Sequence, residues 1–292
     1  MLCRFFSMQI VFSLAVTIAL SGDARPQKRG YLNSESPAKL SSAHPLPTDV
    51  NKGTSRIDEL LDELRRSPDD PITLNNLSVA YAAAGQLDKA LEAALSSVEI
   101  DRASAVARVN LAAVYDRLGQ TEQARAQAAV AAELDPNSAR ARGFLCELEL
   151  VLGRASESAE CYRKLIAAFS EQYDFQLKFS IALLKAGELS EARGILEGMR
   201  TTHEGDIRVM NTLANVYFRM KEYEKSAAVL KEAVELEPEE PRLRFNLGMS
   251  YISTKNRAAA LSQYNLIKES SPELAGKLYR SLFQKYILDV KK

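Results

Sequence analysis

Few residues in this chain have the types and spacings that catalysis requires. Its only two histidines, His44 and His203, stand far apart, and no H-E-x-x-H, G-x-S-x-G, C-x-x-C or G-x-x-x-x-G-K occurs. Zinc needs several His or Cys ligands at close spacing. The sequence therefore predicts no metal site, no cofactor and no enzyme activity. Glu147 and Glu149 come nearest to a carboxylate pair. Two apart on a helix, they face different directions. They read as one surface glutamate and one buried glutamate paired with a basic residue, Arg142 on its own face or Arg140 or Arg108. A better grouped set suits binding. Arg208, Asn211, Asn215 and Arg219 follow at spacings of three, four and four, on one face of a helix. Arg242 and Asn246 follow one helix pair later. Cations with side-chain amides between them suit a carboxylate or an acidic peptide, because charge-assisted hydrogen bonds are the strong ones. An ordinary solvated face is the alternative. Ile72, Val79, Ala83, Val106, Val109 and Ala113 occupy the equivalent face nearer the N-terminus. The expected ligand is then an amphipathic segment with an acidic end.

The elements that must position these residues follow from a period. Gly85, Gly119, Gly153 and Gly187 are 34 residues apart, and Leu77, Leu111, Leu145, Leu213 and Leu247 fall on the same ruler. So do Tyr81, Tyr115, Tyr217 and Tyr251, and Pro68, Pro136, Pro238 and Pro272. A fixed period means one supersecondary unit copied end to end, and such units stack to bury the face none can bury alone. Six blocks are predicted, at 71–104, 105–138, 139–172, 173–206, 207–240 and 241–274. In the first, Leu74, Leu77, Tyr81 and Ala84 recur at helical spacing. Gly85 breaks that helix, and Asp88 is placed to cap a second one. The closing prolines end the second helix. Ala80, Ala90, Ala124, Ala192 and Ala260 are small enough to let the two helices approach closely.

This pattern resembles the tetratricopeptide repeat family. The resemblance rests on L-S-x-x-Y at Leu77, L-A-x-x-Y at Leu111 and Leu213, and L-G-x-x-Y at Leu247, with the downstream alanines and closing prolines. Block 139–172 departs from it, with Glu149 in the tyrosine position, and so does block 173–206, with Phe179 and Leu183 for Leu and Tyr. The resemblance implies an all-α, right-handed α-solenoid of about six helix–turn–helix repeats. It also implies a concave groove, lined by first helices, that takes a peptide or a partner's helix. Some family members hold a terminal carboxylate there with Lys, Asn and Arg. The lysine expected beside Asn215 is missing, so that clamp is not reproduced. The resulting expectation is a non-catalytic interaction scaffold. The alternatives are a self-associating structural module of an envelope assembly, or the regulatory part of an enzyme complex.

Both ends fit a solenoid spanning 55–292. Ile57, Leu60, Leu61 and Leu64 mark an amphipathic half-repeat, and 275–290, with Leu278, Leu282, Phe283, Tyr286 and Ile287, reads as a capping helix. Arg4 followed by the uncharged run Phe5–Leu20 reads as a secretory signal over 1–21. An uncleaved membrane anchor is the alternative, although a span needs about 20 apolar residues. The Ser-, Pro- and Lys-rich stretch 22–54 reads as a disordered linker. The protein is accordingly expected to be secreted or periplasmic, or anchored facing outside the cytoplasm, with no other membrane contact. Cys146 and Cys161 fit two small buried hydrophobes; in an oxidising compartment they also fit a disulfide. Lysine plus arginine and aspartate plus glutamate number 38 each, which argues against a nucleic-acid partner. Mass spectrometry of the exported protein should find an N-terminus near Gly22; an intact Met1 in the membrane fraction would establish the anchor instead.

Overall fold

The computed structural model describes residues 50–169 and 173–289, all within one unit, Glu35–Lys292. The signal segment, residues 22–49 of the linker, Cys3 and His44 lie outside the described residues, as do the side chains of Tyr286 and Ile287. Among the described residues all regular structure is helical. The opening helix is α1 (Val50–Arg66), followed by the pairs α2 (Pro71–Ala83) and α3 (Leu87–Ile100), then α4 (Ala105–Arg117) and α5 (Thr121–Leu134). Next come α6 (Ala139–Val151) and α7 (Ala155–Ala168), then α8 (Tyr173–Ala186) and α9 (Leu189–Thr202). The array ends with α10 (Ile207–Arg219) and α11 (Tyr223–Leu236), α12 (Pro241–Ser253) and α13 (Arg257–Ile267), and the closing α14 (Pro272–Asp289). It is an all-α solenoid whose first helices start every 34 residues.

Each block is punctuated locally. Asp70, Ser104, Ser138, Asp206 and Glu240 stand one residue before a first helix, and their side-chain oxygens accept a backbone N–H from its first turn. That satisfies an amide the helix itself cannot. The second helices start without such a bond in all but the last block. Asp88, expected as a cap, lies inside the first turn of α3 behind Gln86. Its charge there faces the positive end of the helix. Between the helices of a pair, Gly85, Gly119, Gly153 and Gly187 take φ of +74° to +89°. The ruler continues to Lys221 and Lys255, which take φ of +65° and +64° without being glycine.

The two helices of a pair meet where side chains are smallest. Ala90, Ala124, Ala192 and Ala260 are fully buried there. In the other two blocks Ser158 and Ser226 take that place, also fully buried, and donate to the carbonyls of Cys146 and Ala214 at 2.8 Å. Cys146 and Cys161 are joined by a disulfide that ties α6 to α7. At the ends, α1 sets Ile57 and Leu60 against Leu77, Ala80 and Ala93, and α14 sets Leu278 and Leu282 against Ala260 and Ile267. A Cβ on Gly248 would lie 2.7 Å from Leu278 Cδ2, so glycine there admits α14 against α12. Residues 50–54, assigned to the linker on composition, are helical, since a nucleated helix gains one hydrogen bond for each residue added.

Holding a non-glycine side chain at positive φ costs about 1–2 kcal/mol, partly offset by glycine's greater freedom when unfolded. Lys221→Gly should therefore stabilise the protein by about 0.5–1 kcal/mol, raising the thermal midpoint by about 1–4 °C, as read by circular dichroism. A midpoint unchanged or lowered would show that Lys221 contributes a compensating contact.

Candidate partner-binding face

Consecutive first helices touch one another, while consecutive second helices make no comparable contact. The row of first helices is the closer-packed side of the array, and is called the inner face. Its side chains form a line of polar links that crosses every junction between neighbouring first helices. Asn110 in α4 donates to Asn75 in α2 at 2.8 Å and accepts from Arg140 in α6 at 2.9 Å. Lys178 in α8 pairs with Glu147 in α6 at 2.9 Å, both side chains nearly buried. Arg208 in α10 pairs with Asp174 in α8 at 3.6 Å. Asn246 in α12 donates to Asn211 in α10 at 2.8 Å.

Burial sets the electrostatics of the middle of this line. It pushes the Glu147 carboxyl above the ordinary glutamate range; Lys178 opposes that shift and Asp116 adds to it. Asp116, in α4, is raised by burial alone. Burial likewise lowers Lys185 and Arg140. The desolvated charge is thus concentrated between blocks two and four.

Arg208 has further partners. It bonds the Asp206 carboxylate at 3.1 Å and lies over the Tyr173 ring, whose hydroxyl donates to the same carboxylate. Asn211 and Asn246 are engaged with each other. Among the described residues, Asn215, exposed Arg219 and half-buried Arg242 are left with no side-chain hydrogen bond or ion pair, and they lie on adjacent first helices. Toward the N-terminus the same face exposes Ile72 and Val106, 69% and 59% accessible. Val109, grouped with them on sequence spacing, is buried and packs against Ala131 and Ala141.

Glu149 does have basic partners, but not the expected ones. Arg125 in α5 meets it at 2.6 Å and Arg154 at 3.4 Å, and Arg154 also reaches Glu122 at 2.7 Å. Arg142 lies seven residues back, about 10 Å along the axis, beyond direct reach. It sits over the Phe169 ring and reaches the Pro136 carbonyl. Arg108 is likewise held at the Arg102 carbonyl, and Arg244 at that of Pro238, at 2.7 Å. An arginine at the fourth position of a block latches the turn before it. Arg140 is taken by Asn110. Glu147 and Glu149 point to different neighbours, so they form no catalytic pair.

Residues 147–206 and 211–275 match a family model described as tetratricopeptide repeat, and residues 71–95 and 105–129 match another of the same description. Together the matched segments span more than half of the chain. No curated protein sequence matches. Among solved structures, the chain is similar to one from the APC/C hetero-tetramer Cut9–Hcn1, at 17% identity and a TM-score of 0.64, covering 84% of this chain and 48% of that one. This chain therefore spans about half of that relative's length. It is also similar to a tetratricopeptide repeat protein from Parabacteroides merdae, at 16% identity and a TM-score of 0.62, covering 85% of this chain and 98% of that one. A third is YrrB, described as a TPR protein with an unusual peptide-binding site, at 20% identity and a TM-score of 0.51, covering 65% of this chain and 99% of that one. At these identities the likeness is one of fold.

Removing both partners of Glu149 leaves a buried carboxylate uncompensated, a loss of about 3 kcal/mol. Arg125→Met with Arg154→Met should lower stability to urea by roughly that amount, and Glu149→Tyr in that background should restore most of it. No rescue would mean that the arginines act through other contacts.

Proposed function

Because the chain belongs to the tetratricopeptide repeat family, we propose that its protein-interaction scaffold works through the inner face, taking an extended peptide or a segment of a partner protein with an acidic end. The observation that carries this reading is the state of the side chains on that face. Most of its polar groups are consumed in links between repeats. What remains free is apolar at one end, Ile72 and Val106, and polar or cationic at the other, Asn215, Arg219 and Arg242. Desolvated apolar contact supplies affinity, and a carboxylate bonded by guanidinium and amide groups supplies direction. Arg208, already neutralised by two aspartates, has a positioning role: it braces the junction beside Arg219 and Arg242.

The site of action is proposed to be outside the cytoplasm, on the secretory character of residues 1–21. The Cys146–Cys161 disulfide supports the same reading, because such bonds persist in oxidising compartments. No catalytic role is assigned to any residue.

Affinity purification of the full chain from its own cell envelope would identify the partner. Arg219→Ala with Arg242→Ala should then weaken that partner by about tenfold and flatten the dependence of binding on salt. Undiminished affinity and an unchanged salt slope would sink the inner-face reading.

A further inference from the structure

On the side opposite the inner face, consecutive second helices diverge. Between α9 and α11 they leave an open groove of about 690 Å³. Its floor is α10, through the buried side chains of Met210, Leu213 and Tyr217. Leu236, near the end of α11, stands on one wall with 56% of its surface exposed. The other wall is the end of α9 and the turn after it, through Glu197, Arg200, Thr201, Glu204 and Gly205.

The rim of this groove is acidic. Glu197, Glu204, Glu232 and Glu235 line it, against one cation, Arg200, which Glu232 already binds at 2.6 Å. Glu197 accepts the Tyr217 hydroxyl at 2.7 Å, and burial together with that bond pushes the phenol up to about 12. Among the described residues, Glu204 and Glu235 have no ion-pair partner. The whole chain has equal numbers of acidic and basic side chains, so this excess is local.

We propose that the groove between α9 and α11 is a second docking site, taking a segment of a partner protein that presents lysine or arginine beside a large apolar side chain. The apolar side chain covers Met210, Leu213 and Leu236, and the cations meet Glu204 and Glu235. Electrostatic complementarity selects the sign of the partner, and burial of the exposed leucine supplies affinity. This site is independent of the inner face, where the unpaired charge has the opposite sign.

The test is fluorescence anisotropy of the full chain with a short labelled peptide alternating lysine and leucine. Two control peptides replace lysine by glutamate or leucine by serine. The unmodified chain should bind the lysine–leucine peptide about tenfold or more tightly than either control. Glu204→Lys with Glu235→Lys, and separately Leu236→Ser, should each weaken that binding about tenfold. These residues are exposed, so the thermal midpoint should hold; Arg219→Ala with Arg242→Ala should leave peptide binding unchanged. Equal binding by the groove variants, equal binding of the control peptides, or loss of binding in the inner-face variant would overturn the proposal. Sedimentation showing a dimer of the unmodified chain that Glu204→Lys with Glu235→Lys dissolves would overturn it too, assigning the groove to contact between copies.

Discussion

In every block two helices cross at a residue with almost no side chain, and the rest of the fold depends on that contact. Ala90, Ala124, Ala192 and Ala260, with Ser158 and Ser226, are fully buried at the crossing. A larger side chain there would hold the helices apart and open voids around the neighbouring leucines, and interiors tolerate such voids poorly. With the pair closed, Leu77, Leu111, Leu213 and Leu247 bury against the partner helix, while each block keeps an apolar flank that only the next block can cover. The array must then be finished with helices of a different kind. That is the role of α1 and α14, whose buried residues come from one side only.

Stacking brings the first helices close enough for their side chains to bond across each junction. The chemistry varies along the line: amide to amide, guanidinium to amide, ammonium to carboxylate, guanidinium to carboxylate, and amide to amide again. A net hydrogen bond contributes only about 0.5–1.5 kcal/mol, so these links add modestly to what leucine and alanine burial supplies. Their larger consequence is for recognition. A side chain committed to its neighbour is only partly available to a ligand. The inner face therefore presents fewer binding groups than its composition suggests, and those it presents stand in two separated places.

Charge is distributed unevenly over a chain that has none overall. Around the fifth block the inner face carries free guanidinium groups, and the opposite side of the layer carries free carboxylates. Helix pairing makes this arrangement possible. The outward residues of a first helix and of its partner second helix lie on opposite sides of the layer, so each side can vary in sign without disturbing the buried seam between them.

The sequence by itself determined what is local and periodic. The 34-residue ruler, the helix–turn–helix unit, the turns at Gly85 to Gly187 and the amphipathic ends at Ile57 and Leu278 could all be read from spacing. Helix formation, chain reversal and burial of a stripe are decided by residues a few positions apart. Pairings between side chains of different helices were not legible. Glu149 meets Arg125 and Arg154 rather than Arg142, because partners are set by the neighbouring helix and by reach across it. Asn211 and Asn246 were read as ligand contacts and bond each other. Lys221 and Lys255 take positive φ, where their residue type argued for an ordinary helix, because the stacking on either side fixes the turn and overrides the local preference. The groove above Tyr217 depends on how far α9 and α11 diverge, which only the packed array sets.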